Sequence, residues 1–180
     1  MISVTKALSV LDLGYGDIPY DILEEAARIG TETHRFCLGW VASEGTLFGP
    51  DPEIAGYVDR FIEWYEMSVE EVFRIDGKPA VEVEVRMDDW IGHIDLIAKM
   101  KGDRTFSIID LKRTVLVSKS VGLQLAGYQI AAEKTFKRRF KRRFALHIPK
   151  EGPCEAKEFE NRADRIHFLN SVQLYKYLKG

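Results

Sequence analysis

Apolar positions change period twice along the chain. After Pro19 they recur at helical spacing (Ile22, Leu23, Ala26, Ala27, Gly30, Cys37, Leu38, Val41), which predicts a helix from about residue 20. Asp51-Pro52 opens a second such run, with Ile54, Val58, Phe61, Ile62 and Tyr65 on one side. A short helix over 3–13, broken by Gly14-Tyr15-Gly16, precedes both. The period then drops to two. Segments 69–75, 80–87, 90–98 and 105–111 read as strands, separated by the turn pairs Asp76-Gly77, Asp88-Asp89 and Gly102-Asp103. Ser118 caps a predicted helix running to about 134, 144–148 reads as a strand, and 163–178 as a closing amphipathic helix. The expected fold is α/β (α+β). One domain spans 1–180, with a helical part over 1–67 and, over 68–180, a central mixed sheet of about four to six strands flanked by helices.

The strand register concentrates acids. If Asp88-Asp89 is a two-residue turn, Met87 pairs with Trp90, Glu84 with His93 and Glu82 with Asp95. These four polar side chains then share one face, where facing carboxylates repel unless a cation sits between them. On the next strand Asp110 and Lys112 are two apart, so both point to one face. Two other acid-x-Lys triplets, Asp76/Lys78 and Glu155/Lys157, lie in a turn and in a polar stretch. Asp110 instead ends the apolar run Phe106-Ser107-Ile108-Ile109, where ionised groups are costly. Two carboxylates beside an ammonium can hold a hard divalent cation and steer a water molecule. The plainer reading is a strand end with an ion pair on one face.

Composition narrows the classes. An apolar share of 46% and an aromatic share of 11% support a sizeable core. No apolar stretch is long enough to span a membrane, and the N-terminus does not resemble a secretory signal. Two cysteines, Cys37 and Cys154, make neither a disulfide framework nor a four-thiolate iron–sulfur site, so a reducing, cytoplasmic setting is expected. Net charge is −2, yet residues 101–150 hold 13 Lys/Arg against 3 Asp/Glu. The densest run, 134–143, carries seven cations (Lys134, Lys137, Arg138, Arg139, Lys141, Arg142, Arg143) interleaved with Phe136 and Phe140. Such a cluster attracts a phosphate backbone. A solvated helix end is the alternative.

The ordered set Gly92-x-x-Asp95, Asp110-x-Lys112 and Gln124-x-x-x-Tyr128, with the upstream Gly30-Thr31-Glu32-Thr33-His34, resembles the PD-(D/E)XK nuclease superfamily. The likeness is to its RecB-type and phage exonuclease-like branch, over roughly residues 20–178. It implies a restriction-endonuclease-like core with N-terminal helices. It implies that Asp95, Asp110 and the Leu111 carbonyl ligate one or two Mg²⁺ or Mn²⁺ ions. Glu82, or alternatively Glu84, adds an acid, and His34 approaches the metal. Lys112 positions the attacking water, while Gln124 and Tyr128 contact DNA beside the site. Core packing of Tyr128 and of His34 are the plain alternatives. Thr114 and Ser118 are further candidate phosphate donors. The expected activity is exonuclease-type DNA hydrolysis in replication, recombination, repair or phage DNA metabolism. A helicase or recombination protein is a candidate partner, since no phosphate-binding motor loop is seen here. A non-catalytic DNA-binding module or accessory subunit on the same fold is the alternative.

Overall fold

The computed structural model describes residues 1–11, 20–113 and 119–179. The expected break at Gly14–Gly16 and the candidates Thr114 and Ser118 lie outside the described residues. A two-residue strand β1 (Ile2–Ser3) leads into a one-turn helix α1 (Val4–Leu8), whose first turn is capped by the Ser3 hydroxyl accepting from the Lys6 amide. Then come α2 (Tyr20–Ala42) and α3 (Pro52–Ser68). Asp51 caps α3 by accepting from the Glu53 amide, and Pro52 occupies the first turn, where a missing N–H costs nothing.

The strands β2 (Val69–Val72), β3 (Arg74–Ile75), β4 (Lys78–Pro79), β5 (Val81–Arg86), β6 (Trp90–Met100) and β7 (Ser107–Lys112) follow. The chain ends with α4 (Lys119–Phe136), β8 (Arg143–His147), β9 (Glu155–Glu158) and α5 (Ala163–Lys179). The expected strand 69–75 divides: β2 joins the main sheet, while β3 and β4 form a separate hairpin around Asp76-Gly77, both at positive φ. The main sheet has seven strands rather than four to six, because the short edges β1 and β9 join it. Neither carries an alternating apolar pattern long enough to read. The sheet is mixed: β1–β6 and β7–β8 are parallel, the other pairs antiparallel.

Helices cover both faces. One core layer joins Val83, Val85, Trp90, Ile94, Ile97 and Ile108 of the sheet to Val4, Leu125, Phe168 and Val172 of α1, α4 and α5. The other joins Leu96, Ala98, Ile109, Leu111 and Leu146 to Leu38, Ile54, Val58 and Phe61 of α2 and α3. Each fully buried large side chain, such as Phe61 or Phe168, contributes roughly 1.5–3 kcal/mol.

The long strand β6 organises the rest. One edge pairs with β5 and then β2. The other pairs with β1 as far as Ile91 and with β7 from Leu96. Among the described residues, no strand pairs with Gly92–Asp95 on that second edge. The sheet is open there, and Asp95 stands at the opening.

Close packing between α4 and α5 offers a test of the fold. A Cβ on Gly127 would come within 2.6 Å of the Phe168 ring. Gly127→Ala is therefore expected to cost about 1–3 kcal/mol, lowering Tm at about 2–4 °C per kcal/mol. An unchanged melting temperature would contradict this packing.

Candidate active site

The site forms where β6 and β7 part. Their pairing runs from Ala98↔Ser107 to Leu96↔Ile109, and its next step would set Asp95 opposite Asp110. Instead the strands separate, and the Asp95 side chain replaces the missing backbone acceptor. The Leu111 amide donates to Asp95 Oδ2 at 2.7 Å. Strand β7 continues on its other side against β8 as far as Lys112↔His147. Its alternation sends Ile109 and Leu111 to the α2–α3 side, and Asp110 to the α4 side.

Lys112 shares the Asp110 face, as its spacing predicts. Its Nζ lies 2.7 Å from Asp110 Oδ2 and donates to Gln124 Oε1 at 3.4 Å. Gln124 Nε2 donates to the Tyr128 hydroxyl at 2.8 Å and reaches Asp110 Oδ1 at 3.5 Å. Gln124 and Tyr128 are therefore one unit beside the site, and Tyr128 is also packed in the core. Gly92 makes room for it: a Cβ there would meet the Tyr128 ring at 2.6 Å.

Asp110 is almost wholly buried, its side chain 4% exposed, against 18% for Asp95. Burial pushes Asp110 up to about 6, Asp95 adds to the rise, and Lys112 opposes it. Asp95 is also pushed up to about 6, chiefly by burial; the Leu111 amide and Lys112 oppose, while Glu82 adds. Asp110 Oδ2 has the Lys112 charge beside it, yet among the described residues no donor is aligned along a hydrogen-bond direction. A buried and a half-buried carboxylate with raised pKa values, one oxygen lacking an aligned donor among the described residues, form a donor set suited to a hard cation. Among the described residues, no three His, Cys, Asp or Glu side chains converge as a ready-made metal cluster.

His34 reaches the site from α2, with Nδ1 3.8 Å from Asp95 Oδ2. Burial holds its pKa below the usual histidine value; Asp110, Glu82 and a hydrogen bond to the Leu111 backbone work against that, and Lys112 adds to it. That shift favours the neutral imidazole, the form that can ligate.

The expected β5–β6 register holds at Val81↔Leu96, Val83↔Ile94 and Glu84↔His93. Glu82 departs from it. Its φ is 48°, a left-handed conformation that side chains rarely adopt, and the Glu82/Asp95 pair drops out of the ladder. Val81 and Val83 consequently pack on opposite layers. Exposed Glu84 turns to Arg86 at 2.6 Å and to His93 at 3.6 Å, so it is charge-balanced away from Asp110.

The basic run requires correction. Arg143 is buried, donating to the Gly122 and Asn161 carbonyls and to Asp164 Oδ2. Arg142 is held by Asp103 and Glu158, both at 2.6 Å, and lies over the Phe144 ring. Both are structural ion pairs, not cations held out for a nucleic acid. Arg138 lies over the Phe73 and Phe106 rings. Phe136 and Phe140 pack with Phe73 in the same aromatic group. Lys137, Arg139 and Lys141 remain exposed. The run also sits at the start of β8, beside Ile108, whereas the carboxylates lie toward the end of β7. Two strand residues, about 7 Å, separate Ile108 from Asp110.

Arg113 is a residue that sequence reasoning missed. It donates to the Ala26 carbonyl at 3.1 Å and the Tyr57 hydroxyl at 3.2 Å, tying α2 and α3 to the end of β7. An arginine directly after Lys112 was the available signal.

No family model matches the chain, and no curated protein matches it. A solved structure described as "Crystal structure of SSO0001" aligns with 55% of this chain at 18% identity and a TM-score of 0.40, covering 49% of that protein. The chain therefore spans about half the length of that protein. No helix among the described residues is long and apolar enough to cross a membrane.

The raised carboxylates make a pH prediction for metal-free protein. Both hold protons more tightly folded, at about 6, than at the ordinary value of 3.8. Their contribution to stability is complete below about pH 4 and is lost as pH rises through 6. Asp110→Asn should raise Tm at pH 7.5 in EDTA by several degrees and give no gain at pH 4. A lower Tm at pH 7.5, or an equal gain at both pH values, would contradict it.

Proposed function

We propose that this chain is a Mg²⁺- or Mn²⁺-dependent deoxyribonuclease of exonuclease type, a member of the PD-(D/E)XK superfamily on a restriction-endonuclease-like core. The observation that carries the reading is the meeting of Asp95, Asp110 and Lys112 where β6 and β7 part, with Gln124 and Tyr128 alongside. Asp95 and Asp110, with the Leu111 carbonyl, would hold the cation; Glu82 and His34 are the further ligands in reach of that charge. A bound dication supplies Lewis acidity at the scissile phosphate and acidifies a water molecule.

The chain's own residues do the rest. Lys112 orients the attacking water and offsets charge developing on the phosphate oxygens. Gln124 holds Lys112 and Tyr128 in place, and the Tyr128–Gly92 contact fixes the distance from α4 to the sheet. Water adds to phosphorus and the bond to the sugar 3′-oxygen breaks, leaving a 5′-phosphate and a 3′-hydroxyl. Lys137, Arg139 and Lys141 are exposed near the start of β8 and would meet a strand that runs past the carboxylates. Free thiols at Cys37 and Cys154 fit a reducing cytoplasm. The partner is DNA, with a helicase or recombination protein as a further candidate.

The test is cleavage of linear single- and double-stranded DNA with Mg²⁺ or Mn²⁺. Wild type should cut, EDTA should stop it, and Asp110→Ala and Lys112→Ala should each slow it at least about a hundredfold. Wild-type rates in either variant would refute the roles assigned. Metal-independent DNA binding without cleavage would favour the non-catalytic module.

A further inference from the structure

A concavity separate from the carboxylates lies beside the start of β8. A cavity of about 530 Å³ opens between α4, the start of β8, β9 and the start of α5. Its volume is in the range of small-ligand sites. The wall is polar and charged, and the pairing of those charges is uneven.

Two cations of the wall are already neutralised. Arg143 meets Asp164 at 3.3 Å, and Arg165 meets Glu133 at 2.9 Å. Glu158, also in the wall, is taken by Arg142 at 2.6 Å. That leaves Arg139, Lys141 and Arg162, all exposed, with no acid at ion-pair distance among the described residues. Glu160 is the wall acid left to set against them.

This imbalance contrasts with the arginines that do have carboxylates at hand, although Arg35, Arg104 and Arg138 likewise have none at ion-pair distance among the described residues. Arg28 has three carboxylates, and Arg74, Arg86 and Arg142 each have at least one within 3 Å. Three like charges around one concavity repel each other, and Glu160 offsets only one of them. A multivalent anion would offset the rest. Guanidinium groups match phosphate oxygens in a planar fork.

We infer that this cavity is a phosphate site for a nucleotide unit, held by Arg139, Lys141 and Arg162. The phosphate comes from a polynucleotide strand or from a free nucleotide. This goes beyond the proposed hydrolysis, since the site needs no divalent cation and breaks no bond. On a strand engaged by both sites, it would anchor DNA away from the point of cleavage.

The experiment is fluorescence anisotropy with an end-labelled 20-nucleotide single strand in EDTA, so that no cleavage contributes. Arg139→Glu/Lys141→Glu/Arg162→Glu should weaken binding at least about tenfold at 0.1 M salt. It should also reduce the slope of log affinity against log salt by about 2, for three lost phosphate contacts. The milder Arg162→Gln should cost a few-fold, and circular dichroism checks that both variants fold. Competition by 2′-deoxyadenosine 5′-monophosphate, lost in the triple variant, identifies a free-nucleotide site; strand binding without such competition identifies the polynucleotide backbone. Unchanged affinity and salt slope in the triple variant, or no binding of either probe to wild type, overturns the inference. Cleavage is scored separately. An inactive protein that binds through the cavity sinks the hydrolysis alone, and an active protein indifferent to the triple variant sinks the cavity alone.

Discussion

One hydrogen bond holds the candidate site together: the Leu111 amide donates to Asp95 Oδ2. A central strand normally satisfies each amide with a neighbouring backbone carbonyl, because an unpaired buried donor costs about 1–3 kcal/mol. Here β6 leaves β7 two residues too early for that, after Leu96↔Ile109. The Asp95 carboxylate takes over the duty of the absent strand. The same bond sets Asp95 next to the residue that follows Asp110, so the acids are brought together by the way the sheet ends. His34 on α2, and Gln124 with Tyr128 on α4, close in from the two helical layers.

Burial gives the arrangement its chemical character. Each carboxylate is pushed up to about 6 by loss of solvent, and Lys112 offsets only part of that. The site is therefore strained toward protonation in the absence of a cation, and a dication would relieve it. Pre-organised acids of this kind cost stability and are expected where function demands them.

Much of this was legible in the sequence wherever a short-range rule governs. The Asp88-Asp89 turn set the β5–β6 register because a two-residue hairpin leaves one pairing, and Glu84↔His93 followed. Strand alternation put Asp110 and Lys112 on one face. The helical rise put Gln124 and Tyr128 one turn apart, where they bond. What stayed hidden depends on distant parts of the chain. Arg142 and Arg143 looked like members of an open basic run, because Asp103, Glu158 and Asp164 lie far from them in sequence. Phe136 and Phe140 read only as interruptions of that run, whereas they pack against Phe73. The polar edge β9 carries no apolar alternation, and the positive φ of Glu82 has no glycine or asparagine to announce it.

The central claim is that Asp95 and Asp110 form one cation site at the point where two strands part. Isothermal titration calorimetry with Mn²⁺ at pH 7.5 tests it most directly. The account predicts saturable binding to the wild-type protein and about a hundredfold loss in both Asp95→Asn and Asp110→Asn, with both variants folded. Equal Mn²⁺ affinity in wild type and variants, or no binding to the wild-type protein, would contradict it.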